Sequence, residues 1–130
     1  METRAVKIDI NKAKAYLLEK ESVRRQRQQE ELAQTTKKIK ALAHIWSKYD
    51  IKRVYLYGSM TRGKIHHQSD IDIALEGNIG YRQLLSLYGE VDKHFTREID
   101  IRSLEELPFK EAVKEKGVVA YERQTDNFKK

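Results

Sequence analysis

Cysteine is absent from this 130-residue chain, proline occurs once and glycine six times. Without a thiol there is no disulfide scaffold, no thiolate zinc site and no cysteine nucleophile, so any metal must be held by oxygen or imidazole. No apolar run approaches the roughly 20 residues that a membrane-crossing helix needs. The opening METRAVKIDINKAKAYLL has no apolar segment leading into a small-residue cleavage site, so it does not read as a secretory signal. The expectation is a cytoplasmic protein with no membrane partner. What remains, 39% hydrophobic and 35% charged residues, is the composition of a charge-rich globular protein with material for one hydrophobic core. A formal charge of +6 favours contact with something anionic: a nucleotide, RNA or an acidic protein surface. Ordinary solvated lysines and arginines give the same total.

Residues 11–48 contain neither Gly nor Pro and are rich in Lys, Glu, Gln, Arg, Ala and Leu, which predicts one long helix, or two with a break. Apolar residues recur at helical spacing at its two ends, as Ala13, Tyr16 and Leu17 and then as Leu32, Ile39, Leu42, Ala43, Ile45 and Trp46. Between Glu19 and Glu31 only Val23 is aliphatic. That middle cannot bury a full face in its own core, so it stands in solvent or packs on a partner. IKRVYLYG reads as a short buried strand ending at Gly58, and DIDIALE as a second strand with Asp70 and Asp72 on one face and Ile71 and Ile73 on the other. Residues 81–94 read as an amphipathic helix with Leu84, Leu85, Leu87, Tyr88 and Val91 toward the core. REIDIRSL gives a third strand, with Glu98, Asp100 and Arg102 sharing a face. Pro108 opens a helix that Gly117 caps, and GVVAYE is a final strand. The organisation expected is a helical extension over residues 1–31, a catalytic domain over 32–123 and a tail over 124–130.

The residues that carry chemistry are Gly58-Ser59, ten intervening residues, Asp70-Ile71-Asp72, and a further strand carboxylate at Asp100. Carboxylates at i and i+2 on a strand point the same way, with β-carbons about 6 to 7 Å apart. With a third acid from a neighbouring strand they make an oxygen-rich site of the kind Mg²⁺ or Mn²⁺ prefers. Three crowded acids repel one another, and a cation relieves that repulsion. A strand that ends in Gly and feeds a helix start presents backbone N–H groups to an anion, so Gly58 and Ser59 form a candidate phosphate turn. Arg62 and Lys64 stand where cationic side chains can hold outer phosphates. His66 and His67 lie between turn and acids and read as a loop pair.

YGSMTRGKIHHQSDIDIAL resembles the signature of the minimal nucleotidyltransferases of the DNA polymerase β superfamily, G-S-x10-D-x-D followed by a third aspartate. The common form, F-G-S-x-A-R-G running up to S-D-I-D, is matched at Gly58, Ser59, Arg62, Gly63, Ser69, Asp70, Ile71 and Asp72. The chain departs from it at Tyr57 for Phe and at Thr61 for Ala, and neither change removes a metal ligand. The resemblance spans about residues 35–122 and implies an α/β (α+β) fold of polymerase-β type, a small mixed sheet flanked by helices. It implies nucleotidyl transfer from ATP with Mg²⁺ or Mn²⁺, through Asp70, Asp72 and Asp100 as catalytic and metal residues and Gly58, Ser59, Arg62 and Lys64 as nucleotide contacts. Members of this size are often antitoxins of HEPN/MNT toxin-antitoxin pairs, which implies AMP transfer to a tyrosine of a partner HEPN ribonuclease.

Three functional classes stay open on the sequence. They are a protein adenylyltransferase acting as antitoxin, a nucleotidyltransferase for RNA or a small molecule, and a non-catalytic toxin-binding module that kept the fold. The intact acids argue against the third, and RNA is the less favoured partner. A homo-oligomer formed through the N-terminal helix is a further expectation.

Overall fold

The computed structural model describes residues 9–58 and 70–124. Helix α1 (Ile10–Ala41) is 32 residues long, about 48 Å at 1.5 Å per residue. Asp9 starts it, its carboxylate accepting the Lys12 N–H at 3.2 Å. The anticipated break falls at Leu42 (φ −94°, ψ 22°). There the Trp46 indole N–H donates to the Ile39 carbonyl at 2.7 Å, joining the Leu42 N–H that the same oxygen accepts at 3.1 Å. Helix α2 (Ala43–Trp46) follows.

Strands β1 (Ile51–Tyr57) and β2 (Ile71–Gly77) pair antiparallel, helix α3 (Tyr81–Asp92) crosses one face, and β3 (Ile99–Ser103) returns parallel to β2. A 3₁₀ turn (Leu104–Glu106) and helix α4 (Lys110–Lys116) lead to β4 (Val118–Glu122), antiparallel to β1. The spatial order is β3-β2-β1-β4, a mixed sheet with β1 and β2 central.

Period-two alternation assigns side chains to two different covers. One face presents Val54, Leu56, Ile71, Ile73, Leu75, Ile99 and Ile101, packed with Ile39, Trp46, Leu87 and Val91 of the helices. The other presents Tyr55, Tyr57 and Ala74, covered by Leu104, Leu107 and Val113. Asp72, Asp100 and Arg102 belong to this second face by alternation, so the acids lie on the side of the sheet that α4 only partly covers.

Three expectations need correction or refinement. Leu85 is 55% exposed rather than in the core. The buried stripe of α3 runs through Leu84, Leu87, Tyr88 and Val91 at helical spacing, and Leu85 stands about 100° round from Leu84. Gly117 does follow α4, but with φ −73°, not in the left-handed conformation of a glycine cap. Its missing side chain instead lets two carbonyls approach, since a Cβ there would stand 2.5 Å from the Val113 oxygen and 3.0 Å from that of Leu56. Among the described residues the first half of α1 has no cover: Ile10, Tyr16, Leu17, Leu18 and Val23 are all exposed. The body first grips the helix near Glu31, which accepts from Arg97 at 3.2 Å, and then buries Thr35 and Ile39. The helix crosses the expected boundary at residue 31 without a break. Among the described residues no helix is long and apolar enough to cross a membrane.

Candidate active site

The site is built where β1 ends and β2 and β3 begin. In the antiparallel β1/β2 pair Tyr57 stands opposite Asp72, and in the parallel β2/β3 pair Asp72 stands opposite Asp100. Three adjacent strands, each roughly 4.8 Å from the next, therefore carry one row of side chains: Tyr57, Asp72, Asp100. Gly58 follows at φ +79°, in the left-handed region that favours glycine. A Cβ at Gly58 would lie 2.2 Å from Asp72 Oδ2, so the missing side chain also makes room for this carboxylate.

The row opens into a cavity of about 570 Å³ lined by Tyr57, Gly58, Asp72, Asp100 and Arg102 from the sheet. Phe109, Val113, Lys116 and Gly117 wall its α4 side. Arg102 Nε donates to Asp100 Oδ1 at 3.2 Å, and this hydrogen bond holds the guanidinium above its ordinary pKa. Burial above all, then the charges of Asp72 and Asp100, push the Tyr57 phenol up to about 12, with Arg102 pulling the other way. The Tyr57 ring is tilted against Phe109, with centroids 5.9 Å apart. Behind the row on the same face, Glu76 accepts from Tyr55 at 3.0 Å and Arg53 at 3.1 Å, and Arg53 also reaches Glu122 at 3.0 Å. This network fixes the sheet under the cavity.

Of the residues expected to carry chemistry, Gly58, Asp72 and Asp100 come together. Asp70 sits one residue ahead of β2, exposed, and is not among the cavity's lining residues. Among the described residues no three His, Asp or Glu side chains are gathered to hold a metal. The pair Asp72 and Asp100 has the chemistry a hard divalent cation takes: carboxylate oxygens, side by side, lining one cavity. Ser59, Arg62, Lys64, His66, His67 and Ser69 lie outside the described residues. The sequence reading missed Phe109 and Lys116, since nothing local places α4 over the acids. Arg102 had a signal, its period-two spacing from Asp100.

Comparison with known proteins bears on this arrangement. The family model for polymerase beta nucleotidyltransferases matches residues 37–126. No curated protein matches the chain. Among solved structures, a toxin-antitoxin crystal structure with AMP-PNP is 21% identical, over 65% of this chain and 73% of that one, with a TM-score of 0.52. A Sulfolobus solfataricus protein described as a nucleotidyltransferase is 22% identical, over 75% of this chain and 86% of that one, with a TM-score of 0.48.

Proposed function

The chain belongs to the polymerase beta nucleotidyltransferase family, and from that premise we propose that it acts in the cytoplasm as an antitoxin, transferring AMP from ATP to a tyrosine hydroxyl of a partner HEPN ribonuclease toxin. The observation that carries the proposal is the facing of Asp72 and Asp100 across two parallel strands, beside a left-handed Gly58, in one cavity. The toxin-antitoxin structure with AMP-PNP supports the choice of ATP and of a toxin partner through the fold the two chains share.

In this reading Asp72 and Asp100 would hold Mg²⁺ or Mn²⁺, and Asp70, one residue ahead of β2, is the third acid proposed to join them. When bound, the cation offsets the clustered negative charge and polarises phosphate oxygens. Gly58 lets the nucleotide phosphates approach the backbone, and Ser59, Arg62 and Lys64 bind them. Asp100 orients the acceptor hydroxyl: Arg102 engages its Oδ1, which leaves Oδ2 to take the proton. The acceptor oxygen bonds to the α-phosphorus, the bond from that phosphorus to the bridging oxygen breaks, and pyrophosphate leaves with the electron pair.

The uncovered half of α1 serves as the docking arm. Residues 10–28 carry Lys12, Lys14, Lys20, Arg24, Arg25 and Arg27 against only Glu19 and Glu21, beside exposed Tyr16, Leu17 and Val23. Two copies would bring like charges together, whereas an apolar groove rimmed with carboxylates on a partner protein complements the arm. The test of the chemistry is ATP labelled at the α- or the γ-phosphate, incubated with the chain and its toxin. Label from the α-position appears on the toxin and pyrophosphate is released; transfer of the γ-label would make the protein a kinase and the proposal wrong.

A further inference from the structure

The uncovered half of α1 leaves the body at the catalytic end of the sheet. That end carries Tyr57 opposite Asp72, Asp72 opposite Asp100, and Leu56 opposite Val118, the first residue of β4. Leu32 and Thr36 of the helix line one groove with Val118. Gln34, Thr35 and Lys38 line another with Ile71, the first residue of β2, and with Arg97, two residues ahead of β3. Farther along the helix, Lys40 lines a groove with Tyr121 and Glu122 at the far end of β4, and the chain then turns through Trp46 to enter β1 at Ile51. Followed toward its N-terminus, α1 therefore runs from the entry of β1 to the end of the sheet that holds the acids. Residues 10–27, about 27 Å of helix at 1.5 Å per residue, continue past that end with every residue exposed.

The arm and the cavity lie on opposite faces. Ile39 packs on the face of Ile71, Ile73 and Ile101, whereas Asp72 and Asp100 belong to the other. One sheet separates the root of the arm from the acids, so a partner seated on the arm reaches them by passing round the end of the sheet. The arm has no built-in hinge, because kinks arise chiefly at Pro and Gly and residues 11–48 contain neither. The break at Leu42 lies beyond the anchoring contacts of Glu31, Thr35 and Ile39, on the side of the body. Among the described residues, the charged side chains of the arm that pair do so within the helix, Arg24 and Arg25 with Glu21. Tyr16 and Val23, seven residues apart, share one side of it. Resting on the docking and the AMP transfer proposed above, we infer that α1 is a ruler: its length and helical phase select which hydroxyl of the partner toxin enters the cavity. A flexible tether would raise the local concentration of every hydroxyl on the partner, whereas a stiff one presents a single position in the geometry that reaction requires.

The test lengthens the arm between its contacts and its root. Inserting Ala-Glu-Ala-Ala-Ala-Lys-Ala between Arg27 and Gln28 moves the contacts outward by about 10 Å with their direction nearly kept, and inserting Ala-Ala moves them by about 3 Å and turns them by about 200°. Within the complex captured by pull-down, each insertion should slow α-label transfer to the toxin at least about tenfold, because small misplacements of a reacting group are costly. Capture and melting temperature should stay as in the parent. Because the chain has no cysteine, Lys14→Cys with Lys93→Cys gives two unique spin-label sites, and pulsed EPR on the complex should return one narrow distance. The inference is overturned if either insertion leaves transfer unchanged, if capture is lost along with transfer, or if the distance distribution is broad. Failure of the transfer reaction itself is seen separately, as absence of α-label on the toxin with the unsubstituted chain.

Discussion

Gly58→Ala tests the site through its backbone. At φ +79° an added Cβ costs about 1–2 kcal/mol, because L-residues are sterically disfavoured in the left-handed region. The same Cβ would stand 2.2 Å from Asp72 Oδ2 and 3.1 Å from its Cγ, so the carboxylate must rotate away, at about 0.5–1.5 kcal/mol if it leaves its rotamer well. Loss of unfolded-state freedom returns about 0.4–1 kcal/mol. The expected destabilisation is therefore about 0.5–3 kcal/mol, read by urea unfolding followed through the buried Trp46. The two contributions separate in a double-mutant cycle. On an Asp72→Ala background the clash is gone and only the backbone strain remains, so the G58A penalty should shrink by about 1 kcal/mol. Equal penalties on both backgrounds would show that Asp72 does not occupy the space the glycine leaves, and a G58A chain as stable as the parent would refute the strained turn as well.

The remaining predictions concern charge, pH and the arm. Asp72→Asn and Asp100→Asn should each cut AMP transfer by more than about 100-fold, since even residues that only support metal ligands cost 10- to 100-fold, while circular dichroism and melting stay near those of the parent. Tyr57 has a folded pKa of about 12 against an ordinary 10.0, so the fold favours the protonated phenol. Its contribution to stability is intact below pH 10 and lost as the pH rises toward 12, and the unfolding free energy of the parent should fall relative to Y57F across that window. Deleting residues 1–31 removes the Arg97 to Glu31 ion pair, a partly exposed contact worth at most about 1 kcal/mol, so melting and ATP binding should barely change while toxin capture in a pull-down drops at least tenfold. Unchanged capture would reduce the arm to a solvated extension.

Much of the local structure was legible in the chain. Alternation in DIDIALE and REIDIRSL assigned Asp72, Asp100 and the isoleucines to their faces, because within a strand the repeat of two leaves no other choice once one face is buried. The composition of residues 11–48 announced a long helix, and GVVAYE a closing strand. The boundaries of the α3 core stripe were less legible, since LLSLY offers neighbouring leucines and only packing shows that Leu85 is the one turned outward.

By itself, then, the sequence determined which residues alternate, where the chain must turn and that Gly-Ser and Asp-x-Asp lie at the spacing of one family. Those are properties of neighbours along the chain, governed by steric limits and short-range periodicity. Only the tertiary structure decided that β3 lies parallel to β2 in the register that faces Asp100 with Asp72, and that α4 returns over the second face to bring Phe109 and Lys116 to the acids. Register and helix docking arise from hydrogen bonds and apolar contacts between segments far apart in the chain. No local pattern encodes them, because the same alternation is compatible with several pairings until the whole core is buried at once.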